Sequence, residues 1–570
     1  MRHIASKFAV LMASSALLAA CASTPQTTTS RLAPDDIGAS SYGLFLAGQG
    51  ALNDGRGAQA AALFDRARVE GDDGEGLIAE RAFTAAVLAG DIQRAAGMAP
   101  AGDAASEGGK RLGRMVEAVE ALAEDKPKVA RTLLSADAVG FPHKPAAALL
   151  SPWAAAMAGD VDGSIVRPQA RGDKVVDYFG MLGQAHLYER AKRYDEAETD
   201  FKALVGPQAT DDLVVLAYGG FLERRGRRAD AAALYAQGLA AEPHNSALTN
   251  ARTRALDARS QAPAAPGLKE GAAESLMAPA AAMLAAKQDE IGLAYLRLAL
   301  RLDPTLNSAW LTVGDLMESA GDIDAARAAF AKPKPGSLEF ASSRAKLAWS
   351  YQNAKDPETA LKMAREAAAT GDSDARITLA DLLRVNEKFA ESAEVLNSVI
   401  GPNPDWRLLY ARGVAYDRAG RWADGEKDLK AALALKPDDA ELLNYLGYSW
   451  IDRGENLKEA LAMVQKAVGQ NPHSGAMVDS LGWAYYRLGD FKKAVELLES
   501  AVELEAGDPD INNHLGDAYW RVDRRDEAEF QWRRVLTLAP EPKLKAEVDA
   551  KLGSGLGPEG PAAKARVAEK

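Results

Sequence analysis

Between residues 41 and 540 small and apolar side chains return at helical spacing, and the pattern itself recurs about every 34 residues. The clearest unit begins at Ala440, where Asn444-Tyr445-Leu446-Gly447-Tyr448-Ser449-Trp450 is followed by Gly454, Ala460, Ala467 and Pro472. The next carries Ser480-Leu481-Gly482-Trp483-Ala484-Tyr485-Tyr486, then Gly489, Ala494, Leu498 and Ala501. A third reads His514-Leu515-Gly516-Asp517-Ala518-Tyr519-Trp520, then Ala528, Trp532 and Pro540. This period predicts two helices per unit, A and B, joined by a turn. Glycine at the fifteenth position (Gly55, Gly90, Gly159, Gly226, Gly321, Gly420, Gly454, Gly489) ends helix A, where a left-handed residue costs little. Pro243, Pro304, Pro404, Pro437, Pro472 and Pro540 end helix B. Small residues at positions 8 and 20 let A and B cross closely, and larger ones at 4, 11, 17 and 24 fill the space around them. One such hairpin cannot bury its own apolar face, so the core must come from stacking neighbours.

Carried through the chain, this register gives fourteen units, beginning near 41, 76, 111, 145, 178, 212, 273, 307, 341, 373, 406, 440, 475 and 509. The pattern is faintest at 111 and 145, where Pro152 sits in the middle of an expected helix A. The units fall into a divergent array over 41–245 and a second array over 273–540, separated by a linker or hinge at 246–272 that contains Gln261-Ala262-Pro263-Ala264-Ala265-Pro266-Gly267. Residues 541–553, with Lys543, Lys545, Glu547 and Asp549, are expected to form a capping helix, and 554–570 a disordered tail.

These units resemble the tetratricopeptide repeat, a 34-residue helix–turn–helix with small residues at positions 8, 20 and 27 and proline near 32. The resemblance implies an all-α TPR solenoid, a right-handed superhelix of about fourteen repeats. It also implies a concave groove lined by positions 5, 9, 12 and 13 of helix A.

Composition narrows the function. The chain has 570 residues, 116 of them Ala by count, and only 6% are aromatic, which disfavours a β-sandwich or barrel. A net charge of -12 argues against nucleic acid as the main partner. The six histidines are scattered; His186 with Glu189 and His514 with Asp517 lie one helical turn apart and read as surface hydrogen bonds, not metal ligands. Gly555-Leu556-Gly557-Pro558-Glu559-Gly560 spells a dinucleotide fingerprint but follows no strand. No nucleophile elbow or phosphate loop is present, and neither catalysis nor a cofactor or metal is expected.

The amino terminus carries a different message. Arg2 and Lys7 precede an apolar run from Phe8 to Ala20, and then Cys21, the single cysteine of the chain. These thirteen residues cover only about 20 Å as helix, too short to span a bilayer but right for an export signal over residues 1–20. Leu18-Ala19-Ala20-Cys21 resembles the lipobox of bacterial lipoproteins. That resemblance implies acylation of Cys21, a lipidated tether over 21–40 and, with Ala22 next, an outer-membrane anchor facing the periplasm.

Aromatic residues concentrate late: six of nine Trp and seven of fifteen Tyr lie between 406 and 532. Tyr416, Trp450, Tyr485 and Tyr519 at position 11 read as core, and Trp422 and Trp532 as packing on helix B. Others sit at groove positions: Tyr410, Asp417, Arg418, Asn444, Tyr448, Asp452, Asp479, Trp483, Tyr486, Arg487, Asn513, Asp517, Trp520 and Arg521. Aromatic and Arg side chains alternating with Asn and Asp suit an extended peptide or a partner helix from another envelope protein. Two alternatives stand beside this: a tight superhelix that buries these aromatics against the chain itself, and a glycan-binding surface with Trp483, Tyr486 and Trp520 as stacking platforms.

Overall fold

A computed structural model describes residues 40–557 except 71–75, 104, 136–138, 169–172, 207–210 and 243–244. The expected export signal, Cys21, nearly all of the tether and residues 558–570 lie outside the described residues. Within them the chain is all-α, an array of antiparallel helix pairs with 31 helices and no strand. None of these helices is long and apolar enough to cross a membrane.

The hairpin period is confirmed at the turns. A left-handed residue follows helix A in every one of the fourteen units. Eight are the expected glycines, and the other six are Asp125, Lys192, Lys287, Lys355, Glu387 and Asp523, with φ between 57° and 66°. The turn geometry is thus imposed by stacking even where the side chain resists it. Aspartates and Ser474 accept hydrogen bonds from the first-turn amides of the later A helices: Asp405, Asp439, Ser474 and Asp508 cap Trp406–Arg418, Ala440–Arg453, Gly475–Leu488 and Pro509–Arg521. The faint units are also helical. Lys144–Met157 runs straight through Pro152, which is buried in its middle.

The molecule divides into two compact units, residues 1–339 and 340–570. In the first, residues 246–272 do not form a simple linker: Ser246–Leu256 is a helix packed on Arg228–Ala241. The irregular stretch after it is fastened by side chains, with Arg224 donating to the Pro263 carbonyl and Arg228 to that of Ser260. The helices that follow, Leu268–Ser275, Met277–Ala285 and Asp289–Leu302, turn back onto the A helices of the preceding repeats. Leu268–Ser275 lies on Lys144–Met157 so closely that a β-carbon at Gly271 would sit 2.1 Å from the Trp153 ring. Asp289–Leu302 packs on Leu77–Ala89 and Glu107–Ala123, and most of its residues are buried.

Polar contacts fix that docking. Arg301 makes a two-pronged pair with Glu120 at 2.7 and 2.8 Å, Arg297 donates to the Leu88 carbonyl, and Tyr295 Oη meets His143 Nδ1 at 2.8 Å. Burial holds the Arg297 guanidinium down at about 10 and the His143 imidazole at about 4. The inner face of this unit's A helices is therefore filled by the chain itself.

The second unit is a plain stack: six helix pairs from Glu339–Asn353 to Arg525–Thr537, closed by the cap helix Pro542–Ser554. Its core joins successive repeats through Leu443, Leu446, Trp450, Leu481, Leu515, Tyr519 and Trp532. Trp450, Tyr416 and Tyr519 are buried as position 11 requires, while Tyr485 is half-buried.

Candidate functional site

The A helices Trp406–Arg418, Ala440–Arg453, Gly475–Leu488 and Pro509–Arg521 follow one another, so equivalent positions form rows along one face. The fourteen groove residues fall into two groups along these rows.

At the 406–453 end the face is open. Tyr410, Asn444 and Tyr448 are half-buried, and Arg418 and Asp452 are exposed. Tyr410 meets Tyr445 edge-on at 5.8 Å, and Tyr445 Oη donates to Asp417 at 3.0 Å. Desolvation lifts the Tyr410 phenol to about 12 and raises that of Tyr448 further, with Asp479 and Asp452 adding to the latter, so both stay neutral donors. The Asn444 carbonyl oxygen has no hydrogen-bond partner. Arg418 lies over Phe389, and Arg487, half-buried at the middle of the row, donates to the Asp452 carbonyl at 2.7 Å.

Toward the carboxyl end the same rows are closed, which corrects the expectation of an open surface there. Trp483, 9% exposed, is sandwiched between Tyr486 (centroids 4.4 Å, planes 8° apart) and His514 (4.1 Å, 15°). His514 is not on the surface beside Asp517: its Nδ1 lies 2.9 Å from Asp479, and both are buried. Burial alone would lower the His514 value, but Asp479, Asp517 and Asp510 outweigh it and raise it. Asp479, Asn513 and Asp517 are likewise interior. The cap helix is the physical reason for the last two. Its Lys551, only 7% exposed, reaches Asp517 at 2.8 Å and Asn513 at 2.9 Å, while Trp532 Nε1 donates to Asp517. Burial still pushes the Asp517 carboxyl upward against the pull of Lys551.

Past the cap helix the chain does not leave this face. Trp520 Nε1 donates to the Leu556 carbonyl at 3.3 Å, and Arg521 donates to the Gly557 carbonyl at 2.9 Å and to Tyr486 Oη at 3.2 Å. Gly555 crosses the Trp520 ring with φ +66°, and a β-carbon there would fall 2.0 Å from the indole. The first glycine of the false dinucleotide fingerprint, Gly555, thus serves a close backbone crossing. Sequence reasoning missed this clasp, and also the part of His514 in the aromatic stack. The Gly-Leu-Gly after a capping helix was the available signal for the first; the second depends on a pairing across repeats, 35 residues apart.

Among the described residues no group of three or more His, Cys, Asp or Glu side chains could hold a metal ion. The arrangement offers donors, acceptors and half-buried phenols on an elongated face, which is recognition chemistry.

Residues 410–475 match the family described as tetratricopeptide repeat, and residues 482–523 the one described as TPR repeat. Among curated proteins, the TPR repeat-containing protein PA4667 of Pseudomonas aeruginosa is 27% identical over 215 residues, 37% of this chain and 36% of that protein. The match thus spans little more than a third of that relative. Among solved structures, a tetratricopeptide repeat protein from Parabacteroides merdae is 13% identical, with 44% of this chain and 99% of that one covered and a TM-score of 0.39. A crystal structure of MamA is 24% identical, with 30% and 97% covered and a TM-score of 0.25. Residues 410–475 and 482–523 are thus similar in sequence to tetratricopeptide repeats, and the paired antiparallel helices of the described residues form an all-α array of the TPR-like kind.

Proposed function

We propose that this protein is an envelope scaffold, anchored through an acylated Cys21 at the outer membrane and facing the periplasm, that offers the A-helix face of residues 406–487 to an extended segment of a partner protein. The repeat fold supports the general part, protein–protein interaction. The clasp around residues 555–557 carries the finer part. There, Trp520 and Arg521 take main-chain carbonyls of an irregular segment, and the same row continues through Arg487, which holds the Asp452 carbonyl, to the half-buried Tyr448 and the exposed Arg418. Glycan stacking would need open ring faces, and those of Trp483 are occupied on both sides while Arg525 lies 4.0 Å over Trp520. The anchor rests on the signal-like segment and the single cysteine.

A photo-crosslinking residue in place of the exposed Asp452 in living cells tests the groove. The expected product is a covalent adduct with a polypeptide, lost when Arg487→Glu is added. Adducts with glycan, or adducts indifferent to Arg487→Glu, would overturn the reading. Cys21→Ala is expected to release the protein from the membrane fraction or leave it unprocessed; unchanged fractionation would remove the anchor.

A further inference from the structure

We infer that the first unit holds a small-molecule site, a cavity between Trp153, Arg190 and Arg225 that takes a small carboxylate with a flat apolar body. The site is independent of the face at residues 406–487. It follows from which polar groups of the cavity wall are already spent.

The cavity has a volume of about 240 Å³. It lies where the A helices Lys144–Met157, Lys174–Arg190 and Asp212–Arg224 meet the irregular stretch at Ala265 and Pro266. Arg224 ties that stretch down, donating to the Pro263 carbonyl at 3.0 Å and gripping Glu189 at 2.7 and 2.8 Å. Both oxygens of the Glu189 carboxylate are thereby committed to the wall itself.

What remains is a set of donors. Trp153 is only 3% exposed, yet its indole N–H meets no acceptor among the described residues. The ring is held on two sides: a β-carbon at Gly183 would lie 3.3 Å from Nε1, and one at Gly271 2.1 Å from the opposite edge. Arg190 and Arg225 are exposed at the rim, and neither has a carboxylate partner among the described residues. Arg225 lies 3.7 Å over the Tyr194 ring, which orients its guanidinium plane and leaves the N–H edge for a ligand. Burial, with Arg224 nearby, holds the His186 imidazole down at about 4, so the net charge of the wall is that of two guanidinium groups.

An exposed arginine alone is served by water and asks for no ligand. Two of them above a buried donor, with the local carboxylate consumed, form a positive cleft in a chain of net charge -12. The group that completes it supplies acceptors and negative charge, and a carboxylate matches the arginine fork. Trp153, Tyr194 and Pro266 offer ring surfaces for a flat apolar body. The volume falls below the roughly 300–1,000 Å³ of drug-sized sites, so the ligand is small. An adjoining cavity of about 360 Å³ shares Arg190 but matches its other charges internally. There Lys269 pairs with Asp125 at 2.9 Å, and Glu270 accepts from the Gly267 amide at 2.8 Å.

The test titrates the full-length protein with benzoate and follows the Trp153 indole N–H by NMR, assigned through its loss in Trp153→Phe. A saturable shift is expected, with affinity reduced at least tenfold by Arg190→Gln and by Arg225→Gln at unchanged thermal midpoint. Benzamide, the uncharged analogue, should bind at least tenfold more weakly than benzoate. Absence of a saturable shift, equal binding of benzamide, or affinity indifferent to either arginine substitution would overturn the inference. Inorganic phosphate competing as well as benzoate would overturn it too, because the flat body would then contribute nothing.

Discussion

The two compact units are built from the same hairpin yet treat the inner face of their A helices in opposite ways. In residues 1–339 the equivalent positions carry buried apolar side chains, among them Val87, Met115, Val119, Leu122, Leu149 and Trp153, and three later helices of the same chain lie against these A helices. In residues 340–570 the corresponding face bears Tyr410, Asn444, Tyr448 and Arg487, and the cap helix and residues 555–557 cover its carboxyl end. Large apolar side chains at those positions bury area against a returning helix and leave no donor for another partner. Phenols, amides and guanidinium groups hold backbones apart and remain available as donors. The repeat decides the scaffold, then, and the residues at these positions decide whether the face becomes core or stays open.

The largest expected effect is at the closed end of the second unit. Lys551→Ala leaves Asp517 buried without its cation, and should cost about 3–5 kcal/mol in chemical denaturation. Next, Leu298→Ala in the self-filled face of the first unit removes a fully buried side chain, at about 2–5 kcal/mol. The comparison is sharpened by Tyr448→Ala, which sits on an open face: it should cost less than half as much stability while abolishing partner capture. Equal losses from the two substitutions would erase the distinction between core and surface.

Histidines give the contrast a pH signature. His143, held at about 4 in the first unit, binds its proton less readily folded than unfolded. Its contribution is present at neutral pH and is lost as pH falls from about 6.5 toward 4, by up to about 3 kcal/mol. His514 in the second unit is raised by Asp479, Asp517 and Asp510, so its contribution is present below pH 6.5 and lost as pH climbs through the folded value. His143→Gln should flatten the acid side of the stability profile, and His514→Gln the side above 6.5. Effects on the same side would contradict the assignment.

The smallest effect concerns the turns. Lys355→Gly and Asp523→Gly should each stabilise the chain by about 0.5–1 kcal/mol, whereas Gly489→Ala should destabilise it by about 1–2 kcal/mol. Thermal midpoints moving the other way would break the common register of the two units.

Much of this architecture was legible in the residues. The glycines at position 15 and the small residues at 8 and 20 set the hairpins correctly even in the divergent units, because the local geometry of a turn and of a close crossing leaves few choices. What escaped the reading was long-range. The return of Asp289–Leu302 onto helices some 200 residues earlier left only one trace, a helix apolar on nearly all sides, Ile291-Gly292-Leu293-Ala294-Tyr295-Leu296, where a surface helix would keep a polar face. Similarly, nothing local to Trp483 or Asp517 announces that a histidine and a lysine from elsewhere cover them.

The account turns on one accessible face and one occupied face in the same chain. Hydroxyl-radical footprinting of the full-length protein, alone and with its captured partner, tests this directly through two tyrosines. Tyr448 should be labelled in the free protein and protected in the complex, while Tyr295, fully buried beside His143, should resist labelling in both. A Tyr448 that the partner leaves unprotected, or a Tyr295 that labels readily and becomes protected on binding, would contradict it.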